Sequence, residues 1–212
     1  MNERRMNRRR DDAYGDSADT TRRPAPRLPT LKTGPDIVER RTVARSRLFR
    51  VDEVELAFSN GERRVFEQLV AGGEGGIVVV PVSAEGELIL VEEYALGIGA
   101  YELGFVKGVI DPGETAHEAA ARELREETGF AAGELLLLDT VTLMPAYSNF
   151  RSSLFIASDL EPAPLPGDEP EPLVQHRWPL ARIAELHGDR RITDARTRLA
   201  LYLVEARLVD RD

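Results

Sequence analysis

The segment that most constrains this chain is GVIDPGETAHEAAARELREETGF, residues 108–130. It sets Glu123, Glu126 and Glu127 at i, i+3 and i+4, so on a helix the three carboxylates share one face, although like charges at that spacing repel. A helix is what the flanks dictate. Thr115 followed three residues later by Glu118 forms a capping box that fixes where the helix starts. Ala, Arg, Glu and Leu then fill it with strong helix formers, and Gly129 supplies the left-handed stop. Before it, Pro112-Gly113 closes a tight loop that brings backbone near the helix start. Carboxylate oxygens beside loop carbonyls are the ligands a hard divalent cation such as Mg²⁺ takes. The plain alternative is a solvated acidic face.

The rest of the chain narrows the setting. Its 212 residues suit one domain with a small appendage, and 42% hydrophobic content is enough for a packed core. No uncharged apolar run is long enough for a transmembrane helix. The basic start lacks the apolar stretch of a secretory signal, and its acids argue against a transit peptide. With no cysteine, disulfides, thiolate zinc sites and cysteine nucleophiles are excluded, and a cytoplasmic location is expected. The net charge of −9 is uneven: residues 1–35 hold nine Arg/Lys against five Asp/Glu, the remainder 19 against 32. So acidic a body does not suit nucleic-acid binding. Residues 1–36 read as a disordered, basic, Pro-rich leader; 37–72 as an N-terminal antiparallel β segment; 73–212 as the main domain. The stretch from Arg47 alternates around a turn at Asn60-Gly61, a hairpin pattern. IVVVPVSAEGELILVEEY reads as a second hairpin turning at Glu85-Gly86. ELLLLDTVTL, SSLFIASDL and VQHRW are further strands. LARIAELH and TDARTRLALYLVEARL are helical, the latter with an apolar stripe at Leu199, Leu203 and Ala206.

Counted from Gly108, the opening segment places Glu114, Arg122, Glu123, Leu124, Glu126, Glu127, Gly129 and Phe130 at the spacings G-x5-E-x7-R-E-apolar-x-E-E-x-G-apolar. All nine positions match the Nudix box, and the chain resembles the Nudix hydrolases. Beyond the box, RLFRVDEVELAFSNG, YELGFVKGVIDPGE, GDEPEPL and RWP, with Pro145 sixteen residues after Gly129, resemble the ADP-compound hydrolase (NudE-like) branch, near the ADP-ribose pyrophosphatases. The resemblance implies an α+β fold with a mixed sheet sandwiched between helices. It implies Glu123, Glu127, Glu126 and the Lys107 carbonyl as ligands of Mg²⁺, or of Mn²⁺. Arg122 would organise the box carboxylates, Glu114 included, by charge-assisted hydrogen bonds.

Two positions depart from ADP-ribose pyrophosphatases. Their Q-Y-R reads Glu93, Tyr94, Ala95 here, so a phosphate-binding arginine must come from Arg151 or the Arg40–Arg50 segment. Their E-L-P-A-G sets a Glu four residues before the box glycine, whereas Glu102 lies six before Gly108. Glu102, Arg151 and Tyr147 make up the expected substrate-binding set. Cleaving a pyrophosphate needs its charges screened and a base on a movable element. The acidic loop Asp168–Glu171 offers Glu169 first and Glu171 next; the alternative is that these acids only solubilise a Pro-rich loop. The expected activity is Mg²⁺-dependent hydrolysis of ADP-ribose, NADH or diadenosine polyphosphates by a homodimer paired through its N-terminal strands. The rivals are a GDP-mannose-type nucleotide-sugar hydrolase and a ligand-binding Nudix domain without turnover.

Overall fold

A computed structural model describes residues 32–209 except Gly72 and Asp168. The expected leader falls almost entirely outside the described residues. From Pro35 onward the chain is one compact unit. Strands β1 (Asp36–Arg45), β2 (Arg50–Ala57) and β3 (Arg63–Val70) form a three-stranded antiparallel sheet. The turn expected at Asn60-Gly61 joins β2 to β3, with Gly61 at φ 85°, a conformation that costs glycine little. The first strand, β1, had no separate signal in the sequence. It is exposed along its whole length, so it lacks the alternation by which a half-buried strand is recognised.

Next come β4 (Gly76–Pro81), β5 (Glu87–Ala95), β6 (Ala100–Gly104), β7 (Val106–Val109), α1 (Ala116–Thr128), β8 (Phe130–Thr142), β9 (Arg151–Pro162) and β10 (Val174–Pro179). A 3₁₀ helix over Leu180–Gly188 and α2 (Ala195–Val209) end the described chain. The order β7-β4-β9-β8 makes a mixed sheet in which only β4 and β9 run parallel; β10-β5-β6 makes a second, antiparallel sheet.

Strand β4 explains the layering. Its IVVV run is buried throughout, and alternate side chains feed opposite cores. Ile77 and Val79 pack with Val106, Ala119, Ala120, Leu124 and Phe155 under α1. Val78 and Val80 pack with Leu88, Leu90, Phe105, Leu154, Leu201 and Val204 on the other side, with α2 and the 3₁₀ helix. The sheet is thus covered by helices on both faces, and the α+β sandwich expected from the sequence is the fold.

Two expectations need correction. The segment around Glu85-Gly86 turns as expected, with Ser83 N–H donating to the Glu87 carbonyl at 2.8 Å, but it is not a sheet hairpin. Both edges of β4 are taken, by β7 and β9, so β5 passes into the other sheet and only the Val82–Leu88 bridge joins the arms. In α2 the core-facing set is Thr197, Ala200, Leu201 and Val204, not Leu199, Leu203 and Ala206. Leu199 and Leu203 flank the core, and Ala206 is exposed. Buried Thr197 sat outside the apolar pattern because its hydroxyl is satisfied by Asp194 Oδ2 at 3.1 Å, the residue that caps the helix.

Candidate active site

Helix α1 starts where its cap requires. Thr115 accepts from the Glu118 N–H at 3.2 Å while Glu118 accepts from the Thr115 N–H at 2.8 Å. Gly129 ends it in the left-handed conformation, φ 80°. Strand β7 runs beneath, and at Gly108 the two elements touch. A Cβ there would stand 2.0 Å from the Glu123 carboxylate, so only glycine leaves room for that side chain.

Arg122 gathers the acids. Its Nε and Nη2 grip both oxygens of Glu114 at 3.0 and 2.9 Å. Its Nη1 donates to Glu123 at 2.7 Å and Glu126 at 3.1 Å, and Nη2 also reaches the Val109 carbonyl at 3.0 Å. The arginine therefore makes both the i, i+4 pair with Glu126 and the wider network. Hydrogen bonds from Arg122 hold the Glu114 carboxyl below the usual range, and Glu114 in turn holds the guanidinium proton more tightly.

Glu127 is different. Burial pushes its carboxyl up to about 9, reinforced by the charges of Glu123 and Glu93 and opposed by the Lys107 N–H, which donates to Oε1 at 3.2 Å. Its other oxygen, Oε2, is buried with no hydrogen-bond partner. An orphaned anionic oxygen costs free energy unless a cation meets it, and all-oxygen donors suit a hard divalent ion. The residues fit such an ion by donor chemistry rather than as a preformed cage. Among the described residues no three acidic or histidine side chains already converge tightly enough to hold one, and Arg122 lies on the facing oxygens of Glu123 and Glu126.

The acidic loop between β9 and β10 lies against this face. Glu123, Glu126, Glu127, Glu169 and Glu171 line one cavity of about 240 Å³, together with Gly167, Pro170, Pro172 and Leu173. The loop is tied to the end of α1. Ala163 N–H donates to the Gly129 carbonyl at 2.9 Å and Leu165 N–H to the Arg125 carbonyl at 3.2 Å, while Arg125 Nε reaches the Ala163 carbonyl at 2.8 Å. After the loop, Gln175 donates to the Thr128 carbonyl at 3.0 Å. Asp168 lies outside the described residues.

The other candidates stand elsewhere. Glu102 is buried, and its Oε1 accepts from the N–H groups of Thr193 and Asp194 at 2.8 and 2.5 Å. That carboxylate holds the approach to α2 and does not line the cavity. Arg151 opens β9 beside Gly75, whose carbonyl accepts the Ile110 N–H at 3.1 Å. It is near the box loop but outside the cavity. Tyr147 is exposed, and its carbonyl receives the Leu69 N–H at 2.7 Å, which fastens β3 to the main body. Of the Arg40–Arg50 segment, Arg40 and Arg50 pair with buried Asp52 and Arg41 with Glu53.

Sequence reasoning missed Tyr101. On β6, its hydroxyl donates to the Glu171 carboxylate, which raises the phenol's pKa because losing the proton would forfeit that bond and set two anions together. Seventy residues separate the pair, so no local pattern links them. It also missed the Lys107–Glu93 ion pair, 3.4 Å, beside Glu127.

The chain is similar to known proteins along most of its length. A family model described as the NUDIX domain matches residues 74–197, and one described as the NudE-type Nudix hydrolase N-terminal domain matches 35–68. The ADP compounds hydrolase NudE of Escherichia coli is 49% identical over 170 residues, covering 80% of this chain and 91% of that one. An ADP-ribose pyrophosphatase of Bacillus subtilis is 25% identical over 79% of this chain and 94% of its own length. A crystal structure of an ADP compounds hydrolase superposes with a TM-score of 0.80 at 46% identity, covering 86% of this chain and 98% of that one. With the box folded as described and these matches along most of its length, the chain belongs to the Nudix hydrolase family.

Proposed function

We propose that this chain is a divalent-cation-dependent hydrolase that cleaves the pyrophosphate of ADP-linked compounds such as ADP-ribose, NADH or diadenosine polyphosphates, releasing AMP and a phosphorylated product. The observation that carries this reading is the acidic cavity shared by the box glutamates and the loop carrying Glu169 and Glu171. The substrate class rests on the ADP compounds hydrolases to which the chain is similar. When bound, the cation screens the phosphate charges and lowers the pKa of the attacking water; Mg²⁺ is the proposed ion, Mn²⁺ the alternative.

The chain's own groups do the rest. Glu123, Glu126 and Glu127 hold the cation, with the Lys107 carbonyl as a fourth donor. Arg122 fixes Glu114, Glu123 and Glu126 against the loop backbone, so the ligands do not have to be ordered at each turnover. Glu169 takes the proton from the attacking water, and Glu171 stands next in line. Arg151, exposed near the box loop, is a candidate for phosphate contact. The N-terminal sheet exposes Ile37, Val38, Val65 and Phe66, a surface suited to pairing with a second copy. We infer a homodimer in which residues 40–70 help complete the partner's nucleotide site. Among the described residues no helix is long and apolar enough to cross a membrane, in keeping with the proposed cytoplasmic location. Purified protein is to be incubated with ADP-ribose, NADH, diadenosine polyphosphates and GDP-mannose, with Mg²⁺, Mn²⁺ or EDTA. Cation-dependent AMP release from the ADP compounds is expected. GDP-mannose as the preferred substrate, or no turnover at all, would overturn the reading.

A further inference from the structure

The acidic loop is anchored at both ends to α1, through Ala163 and Leu165 before it and Gln175 after it. Those bonds set where the loop begins and ends, not where its middle lies. The middle carries three prolines, Pro166, Pro170 and Pro172, which have no N–H with which to bond neighbouring backbone. The Tyr101 hydroxyl, bound to Glu171, ties the middle to β6. Tyr101 is well placed for this. It stands directly opposite Tyr94 in the β5–β6 ladder, and the rings meet edge to face with centroids 5.5 Å apart. The phenol is therefore aimed by a rigid aromatic neighbour on a rigid hairpin, even though the ring is 53% exposed.

We propose that Tyr101 is a positioning residue: its hydroxyl latches the acidic loop through Glu171 and thereby holds Glu169 over the box glutamates. This rests on the hydrolase reading above, but the latch exists with or without turnover. The bond joins a neutral donor to a carboxylate, the stronger kind of hydrogen bond. It is formed at one point on the loop, so its loss loosens the middle without detaching the ends.

The first test needs no activity. Hydrogen exchange is measured on wild-type protein and on Tyr101→Phe in EDTA. The amides of Glu169, Glu171, Leu173 and Val174 should exchange at least about fivefold faster in the variant, while the Leu165 amide, bonded to α1, stays protected. Unchanged exchange at Glu169, Glu171, Leu173 and Val174 would overturn the latch whatever the protein's activity. The second test uses kcat and KM for ADP-ribose with Mg²⁺. Tyr101→Phe should lower kcat about tenfold with KM changed less than about threefold, since the loop acts after binding. Combining it with Glu171→Ala should cost no more than Glu171→Ala alone, because both remove the same bond. Additive losses, or a loss in KM only, would mean that Tyr101 acts on substrate rather than through the loop, and would refute the assignment. If wild type shows no cation-dependent turnover, the hydrolase reading fails, and the exchange result alone decides the latch.

Discussion

The buried carboxyl of Glu127 makes a prediction about stability as well as activity. Without a cation, its proton affinity is raised from 4.5 to about 9 by burial. Between those values the folded protein binds more protons than the unfolded chain, so stability falls as pH rises through the window. About 1.4 kcal/mol accompanies each unit, so at pH 7 an uncompensated Glu127 costs on the order of 3 kcal/mol. For a domain of this size that corresponds to a Tm lower by roughly 6–12 °C. The assay is thermal unfolding in EDTA from pH 5 to 8, for wild type and Glu127→Gln. Wild type should lose stability steadily over this range relative to the variant, which has no proton to release. Saturating Mg²⁺ should then restore wild type by about 2.7 kcal/mol at a hundredfold excess over Kd and leave Glu127→Gln nearly unmoved, while the variant's turnover is close to abolished. Parallel pH curves for the two proteins, or equal stabilisation of both by Mg²⁺, would refute the reasoning.

Glu169→Gln should lower kcat for ADP-ribose by about 10²–10⁴-fold, the usual worth of a positioned base, with KM little changed; Glu171→Gln should cost less. If neither falls in steady-state assays, the proton goes to a box glutamate such as Glu126 and the loop is only a lid. Gly108→Ala places a methyl 2.0 Å from the Glu123 carboxylate, and because that is the far end of a flexible side chain the fold should survive while Glu123 is pushed aside. Titration calorimetry should find Mg²⁺ bound at least about tenfold more weakly, with far-UV circular dichroism unchanged. Light scattering at micromolar concentration should give twice the chain mass of 23.6 kDa; a fully active monomer would remove the proposed role of residues 40–70.

How much of this was legible in the sequence depended on how local the determinants were. The cap at Thr115, the stop at Gly129 and the shared face of Glu123, Glu126 and Glu127 are decided within one short segment, and all are in place. The turn at Asn60-Gly61 was readable for the same reason. Strand pairing was not. The IVVV and LILV arms look like natural partners, and nothing local says that β7 and β9 outcompete β5 for the edges of β4. The frame of α2 slipped because a buried threonine, satisfied by Asp194, interrupts the apolar pattern. At the site, the acids of the loop could be named in advance by type and placement. The hydroxyl that holds the loop could not, because Tyr101 reads as an ordinary strand aromatic until the fold brings it to Glu171.

Arg122 also bears on how this protein comes to be ready for use. A cluster of carboxylates with nothing but an ion to neutralise it would resist folding until that ion arrived. Here a guanidinium already lies among Glu114, Glu123 and Glu126 and offsets one of their three negative charges, while Glu127 beside them can keep its proton. Folding can therefore precede loading, at the cost in stability that Glu127 carries. Supply of the proposed cation would then set how firmly the finished molecules hold together as well as how many are switched on.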